Sequence, residues 1–406
     1  MKYVLVLLDG MADYSIAELD GKTPVEYART PAMDGIAKHA EIGRVRTVRG
    51  GFKPGSDVAN LGVLGYDVTK CYTGRSPLEA LSIGIDMLKD DLALRANLVT
   101  LSDDKDFGNK IMLDYSAGEI STEEAAKLIS DLYAFLKEEG LTDGMELHVG
   151  TSYRHCMILH NSEPKETLTP PHDITGRRIG EYLPEGGQSD KLLKIIKASY
   201  EYLSKHPINV TRAAIGKNPA NSLWLWGEGT KPAIENFKEK YGKSAVMISA
   251  VDLLKGIAVG GGMKVAEVEG ATGRIDTNFD GKAARALSEL KDGADFCMIH
   301  LEATDECGHQ GNAKEKARAI ELIDEKIIAP IFDYLKNSGE AFNMLIMPDH
   351  YTPVSTRTHS SEPVPYMLYT SGRDLGSNPQ YSETVAEQSG IMYENPWELT
   401  EKLFEI

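Results

Sequence analysis

With 406 residues the chain exceeds one compact core, since single cores stop growing near ~250–300 residues, and two domains are expected. A hydrophobic fraction of 42% beside 26% charged residues, with no low-complexity tract, excludes wholesale disorder. Lys plus Arg number 44 against 61 Asp plus Glu, and this net charge of −17 without any basic stripe excludes a nucleic-acid partner, so an anionic small substrate would need local Arg, Lys or metal.

In chain order, Met1–Leu8 begins like a signal peptide, with one lysine and an apolar run. The run breaks at Asp9-Gly10 and no A-x-A pattern follows, so Tyr3–Leu8 is expected to be a buried strand. Gly50–Gly62 carries Ser56 between glycines that let the backbone turn sharply, ahead of a helix whose free N–H groups would face an anion. Taken alone, Ser56 reads first as an ordinary N-cap. From about Cys71 to Asn221 the strands Leu92–Leu101, Glu146–Val149 and Arg154–Leu159 mix with helices Thr122–Gly140 and Asp190–Lys205, joined by the Pro- and Gly-bearing stretch Thr169–Gly187. This reads as a smaller α+β domain inserted into a larger one.

After the insert, helices are expected over Lys231–Tyr241, Gly281–Lys291 and Lys314–Asn337, and buried strands over Phe296–Leu301 and Phe342–Met347. Alternating strands and helices point to α/β, with continuous apolar runs suited to a parallel sheet covered on both faces. Cys71, Cys156, Cys297 and Cys307 form no C-x-x-C pair, which implies a reducing compartment. No stretch approaches the ~18–20 apolar residues of a membrane span. A cytoplasmic protein with no membrane partner is the expectation.

Each of the three apolar strands is followed at once by polar residues: Asp9, then Glu302–His309, then Asp349-His350. Groups beyond the carboxyl ends of α/β strands converge on one sheet edge. Asp305 and His309 are four apart, which on a helix puts both on one face as two ligands of one ion require, though an N-cap and a solvated His would share that spacing. With His359, the set Asp9, Asp305, His309, Asp349, His350 and His359 makes three carboxylates and three imidazoles, enough for two ions. Two cations ~4 Å apart stabilise the attacking and leaving oxygens of phosphoryl transfer, and Ser56 supplies a nucleophile.

The segments Leu7-Leu8-Asp9-Gly10-Met11-Ala12-Asp13, Gly55-Ser56-Asp57-Val58-Ala59-Asn60-Leu61-Gly62, Thr304-Asp305-Glu306-Cys307-Gly308-His309 and Pro348-Asp349-His350, with Thr358-His359-Ser360, resemble the alkaline phosphatase superfamily. Within it they look like the archaeal-type cofactor-independent phosphoglycerate mutases. Tyr153-Arg154-His155, Pro171-His172-Asp173-Ile174-Thr175-Gly176 and Leu225-Trp226-Gly227-Glu228-Gly229 are similar to the same branch, so the likeness spans nearly the whole chain. It implies an α/β, three-layer, alkaline-phosphatase-like core with a mainly parallel sheet over 1–70 and 222–406, and a substrate-binding lid over 71–221. One metal would be held by Asp9, Ser56, Asp349 and His350, the other by Asp305, His309 and His359. Mn²⁺ is the first choice, with Zn²⁺, Co²⁺ and Mg²⁺ compatible. Ser56 would take the phosphoryl group from 3-phosphoglycerate and return it to the 2-hydroxyl, a step of glycolysis and gluconeogenesis needing neither nucleotide nor bisphosphoglycerate.

Arg154, His172, Asp173 and Lys255 are the candidate substrate contacts: Arg offers a fork for carboxylate or phosphate, and His172 beside Asp173 could carry a proton between hydroxyls. A homoserine-kinase-like phosphotransferase of the same branch would have to hold a nucleotide. Lys240-Tyr241-Gly242-Lys243-Ser244 ends like a P-loop, but Phe237 stands where its first glycine belongs. A phosphatase or phosphonate esterase would need no trapping lid. The C/S-x-P-S-R motif of a sulfatase is absent around Ser56, and retention of every ligand argues against a retired, non-catalytic fold. A homo-oligomer is compatible with the sequence.

Overall fold

The computed structural model describes residues 1–376 and 378–405. Two compact units emerge, one of residues 1–72 with 233–406, the other of residues 73–232.

The first unit is a mixed sheet. Its strands run in the order Lys264–Val265, Ala245–Ile248, Phe296–Leu301, Lys2–Leu8, Phe342–Met347, Val364–Thr370, Glu41–Val45 and Met392–Tyr393. The first five are mutually parallel; Val364–Thr370 pairs antiparallel with both its neighbours. Lys2–Leu8 lies at the centre because it is buried on both faces, as its unbroken apolar run requires. Val4, Val6 and Leu8 pack with Phe279, Ala283, Ile320 and Ile331 from the helices Phe279–Lys291, Ala313–Ile323 and Ala329–Asn337. Tyr3, on the alternate face, meets Phe404 edge-on at 5.1 Å between ring centroids, and Phe237 stacks on Phe296 at 5.3 Å. Three layers result, α/β/α, with the sheet between.

Two expected helices differ. Lys231–Tyr241 is helical only over Phe237–Tyr241, where Asn236 caps the first turn through bonds to Lys238 N and Glu239 N. The stretch expected over Lys314–Asn337 is interrupted by a wider turn, Asp324–Ile328, closed by Ala329 N donating to Asp324 O. Pro330 lacks an N–H and crowds the preceding turn, so an ordinary α-turn is disfavoured there. The widened turn leaves Asp324 to accept from Ala32 N (3.0 Å) and Met33 N (2.7 Å) at the start of the helix Pro31–Ala37.

The second unit is an antiparallel sheet built on Leu92–Leu101, which pairs with Met112–Asp114, Arg154–Leu159 and Ser222–Thr230; Met145–His148 extends the Arg154–Leu159 edge. Leu92, Leu94, Ala96 and Leu98 meet helices Thr122–Glu138 and Ser189–Leu203 on one face. The expected return to the core at residue 222 is displaced: Ser222–Thr230 pairs along almost the whole of Leu92–Leu101, so the unit runs on to Pro232. Thr169–Gly187, expected as a connection, holds two short 3₁₀ turns, Pro171–Ile174 and Ile179–Tyr182.

Candidate metal centre

Parallel register brings three strand ends together. Leu8 lies beside Leu301, and Leu7 beside Met347, so Asp9, the Glu302–His309 segment and Asp349-His350 emerge at one edge of the first unit. Asp305 and His309 sit on the helix Ala303–Gln310, and His309 Nε2 reaches Asp305 Oδ2 at 3.1 Å. Ser56 is the first residue of the helix Ser56–Val63. Its Oγ is 3.1 Å from His350 Nε2 and 3.5 Å from Asp9 Oδ2. His359 Nε2 lies 3.0 Å from His309 Nε2 and 3.4 Å from Asp305 Oδ1. All seven sequence-predicted ligand residues therefore converge.

Ligand atoms of Asp305, His309 and His359 lie within 4.8 Å of one another, and so do those of Asp9, Asp305 and His350. Asp305 thus belongs to both groups. Asp349 is fully buried and turned toward donors: Gly10 N (3.1 Å) and His350 N (3.0 Å) on Oδ1, and Asn60 Nδ2 (2.8 Å) on Oδ2.

The donor set fits divalent cations. His309 Nδ1 faces the Arg357 carbonyl at 3.0 Å and His359 Nδ1 faces the Pro54 carbonyl at 3.4 Å. An N–H on each of those nitrogens leaves both Nε2 lone pairs converging beside a carboxylate, an arrangement a cation satisfies. Asp9 Oδ1 is buried and accepts no hydrogen bond from the described residues, which is costly for a carboxylate unless a positive charge faces it.

Electrostatics agree. Burial, reinforced by the charges of Asp349 and Asp305, pushes the Asp9 carboxyl well above its ordinary range. Burial alone would raise Asp305 too, but hydrogen bonds from His309 and His359 outweigh it and hold that carboxyl well below. The Asp305 bond in turn lifts His309 to about 9, so without a cation a proton on His309 balances the cluster. Burial lowers His350.

Two positions that the sequence reading passed over contribute directly. Asn60 ties the Ser56 carbonyl (2.8 Å) to Asp349, and Thr352 Oγ1 bridges Asp305 Oδ1 (2.5 Å) and His350 Nδ1 (3.2 Å). Asn60 stands one helical turn after Ser56 and Thr352 two residues after His350, spacings that were available as signals.

The remaining candidates are Lys255, Arg154, His172 and Asp173. Lys255 pairs with Glu267 at 3.0 Å, so its charge is already matched. Arg154, His172 and Asp173 belong to the second unit. Arg154 is exposed; its guanidinium lies over the Tyr153 ring at 5.0 Å, and among the described residues it has no ion pair. His172 meets Trp226 edge-on at 5.3 Å and Tyr115 at 6.1 Å, with Asp173 Oδ1 3.6 Å from its Nε2. Arg95, over the Trp226 ring at 4.6 Å, is taken up by Glu79, to which its Nε donates at 2.7 Å.

A serine at a helix N-terminus, set against clustered carboxylates and imidazoles at the carboxyl edge of a mainly parallel sheet, defines a metal-dependent phosphoryl-transfer enzyme. Comparison narrows the class. The sequence family described as 2,3-bisphosphoglycerate-independent phosphoglycerate mutase matches residues 37–209. A protein of that name from Methanosarcina barkeri (strain Fusaro / DSM 804) is 47% identical over 393 residues, 96% of each chain. The solved PH0037 protein from Pyrococcus horikoshii shares 31% identity with a TM-score of 0.79, covering 100% of this chain and 98% of that one. The cofactor-independent phosphoglycerate mutase from Thermoplasma acidophilum DSM 1728, 23% identical with a TM-score of 0.67 over 100% of both chains, has the same fold. The chain belongs to the 2,3-bisphosphoglycerate-independent phosphoglycerate mutases.

Proposed function

We propose that this enzyme interconverts 3-phosphoglycerate and 2-phosphoglycerate through a phosphoserine at Ser56, using two divalent cations and no nucleotide. The observation that carries the reading is the placement of Ser56 Oγ within 3.5 Å of both Asp9 and His350, beside the Asp305–His309–His359 group. Asp9, Ser56, Asp349 and His350 would hold one cation, and Asp305, His309 and His359 the other, with Mn²⁺ the first choice for this mixed O/N set. When bound, the cations supply positive charge that lowers the serine pKa and stabilises charge on the phosphoryl oxygens.

Ser56 Oγ forms its bond to phosphorus as the bond from phosphorus to the 3-oxygen breaks. The glycerate then turns, its 2-oxygen attacks the same phosphorus, and Ser56 is released. The phosphoryl group is conserved, so no external donor enters. The 3-oxygen must gain a proton and the 2-hydroxyl must lose one, and His172 with Asp173 is assigned to that transfer. Arg154, free of any carboxylate among the described residues, is assigned to the substrate carboxylate or phosphate. Water must be kept from the phosphoserine, or the mutase becomes a phosphatase.

The test is Mn²⁺-loaded protein with 3-phosphoglycerate, without ATP or bisphosphoglycerate, following 2-phosphoglycerate and free phosphate. Formation of 2-phosphoglycerate is expected. Phosphate release alone would identify a hydrolase, and turnover seen only with homoserine and ATP a kinase. Ser56→Ala should abolish turnover and keep most of its metal; an active Ala variant sinks the covalent route.

A further inference from the structure

His300 is the penultimate residue of the otherwise apolar run Phe296–Leu301 and is fully buried. Its ring makes two polar contacts: Nε2 to Asp9 Oδ2 at 2.8 Å and Nδ1 to Ser249 Oγ at 3.0 Å. The sheet dictates both. Ile248 pairs with Ile299 across parallel strands, which sets Ser249 beside His300, and Leu7 pairs with His300, which sets Asp9 on the same face two residues on. Ser249 Oγ is itself fixed, accepting from Val251 N (3.0 Å) at the entry to the helix Asp252–Gly260. With that bond made, the hydroxyl proton of Ser249 is free to point at Nδ1, and the ring then carries its proton on Nε2, toward Asp9.

We infer that His300, oriented by Ser249, is a positioning residue for the metal centre: by donating to Asp9 Oδ2 it leaves Oδ1 as the ligand oxygen. The consequence is visible in the carboxylate's two oxygens. Oδ2 is engaged by His300, whereas Oδ1, though buried, accepts no hydrogen bond from the described residues and lies 3.4 Å from His350 Nε2. A carboxylate held by one oxygen cannot rotate, so the second presents a fixed lone pair. The Thr304 hydroxyl, donating to the Asp9 carbonyl, and Lys282 Nζ, donating to the His300 carbonyl at 3.2 Å, hold the two backbones from which these side chains project. The inference rests on the assignment of Asp9 as a ligand, and the experiment separates the two.

Chelator-stripped full-length protein is titrated with Mn²⁺ by calorimetry, comparing wild type with Asp9→Asn, His309→Ala, His300→Leu, His300→Gln and Ser249→Ala, each checked for wild-type circular dichroism. His300→Leu should weaken by about 10–100-fold the binding step that Asp9→Asn weakens, and spare the step that His309→Ala weakens. His300→Gln, whose amide N–H reaches about as far as Nε2, should recover most of the loss, which a packing defect would not. Ser249→Ala should weaken the same step severalfold, and decides the matter if His300→Leu does not fold. Wild-type Mn²⁺ binding by His300→Leu or Ser249→Ala beside a defective Asp9→Asn overturns the positioning role, as does a His300→Gln no better than His300→Leu. Undiminished binding by Asp9→Asn overturns the ligand assignment and this inference with it.

Discussion

At Gly10 the backbone and the chemistry meet. Its φ is +59°, a left-handed conformation, and its N–H donates to Asp349 Oδ1 at 3.1 Å. A Cβ there would collide with Thr352 Oγ1 and with Asp305 Oδ1, and would sit 2.9 Å from Asp305 Cα. Gly10→Ala should therefore cost about 2–4 kcal/mol, combining left-handed strain with overpacking. It should also lower kcat by at least ~10-fold, because the residue displaced is the carboxylate common to both ligand groups. Urea denaturation and initial rates measure the two, and a fully active Ala variant would show that Asp305 can move without consequence. Residues such as Asp305, His309 and His350 were legible because polar side chains directly after apolar strands are conspicuous. His300 was not, since one imidazole inside Phe296–Leu301 gives no sign of which side chain it will face until the register with Lys2–Leu8 is known.

Among elements, the helix Ala313–Ile323 is anchored to the loop after the first strand by a buried ion pair. Lys316 Nζ donates to Asp13 Oδ2 (2.9 Å) and to the Thr352 carbonyl (2.8 Å), and both charged side chains are almost wholly buried. Burial lowers the Lys316 pKa, with Asp13 opposing that shift. Removing one partner strands a charge, so Lys316→Met should cost about 3–5 kcal/mol, while adding Asp13→Asn should recover part of it. A denaturant double-mutant cycle reads the coupling, and strictly additive losses would count against the pair. This link also fixes Thr352, hence Asp305 and His350, so the single variant should lose activity before it loses its fold. Strands Phe296–Leu301 and Phe342–Met347 were readable from continuous hydrophobicity. The widened turn at Asp324–Ile328 was not, because its reason lies partly in the Ala32 and Met33 N–H groups nearly 300 positions away. The strand Ser222–Thr230 was misallocated for a similar reason: its partner Leu92–Leu101 lies more than a hundred residues earlier, and pairing rather than composition decides which unit it joins.

Over the whole molecule, Glu383 in the first unit and His155 in the second are buried titratable groups outside the metal centre, and the two respond to pH in opposite directions. In the first unit, burial raises Glu383 to about 7 even though it accepts from Asp13 N (3.1 Å) and Thr23 Oγ1 (2.7 Å). An acid whose folded pKa lies above its ordinary value of 4.5 binds more protons folded than unfolded between those limits. Its contribution to stability is complete below pH ~4.5 and falls by roughly 3 kcal/mol as pH climbs to 7. In the second unit, burial lowers His155 to about 3 from 6.5; its Nδ1 accepts from Gly150 N at 3.1 Å, and its buried Nε2 has no hydrogen-bond partner among the described residues. Here the unfolded chain binds the extra proton, so the contribution is complete above pH 6.5 and is lost by roughly 4–5 kcal/mol as pH falls toward 3. Between pH 6.5 and 4.5, acidification should therefore strengthen the first unit through Glu383 and weaken the second through His155. Denaturation free energies of metal-free wild type, Glu383→Gln and His155→Gln across pH 4.5–7.5 isolate each group as a difference from wild type. The wild-type advantage over Glu383→Gln should shrink as pH rises and that over His155→Gln should grow. Two differences sloping the same way would mean that one of these side chains is solvated in the folded state. Hydrogen exchange in Lys2–Leu8 and Leu92–Leu101 would then locate which, because each strand reports the opening of its own unit.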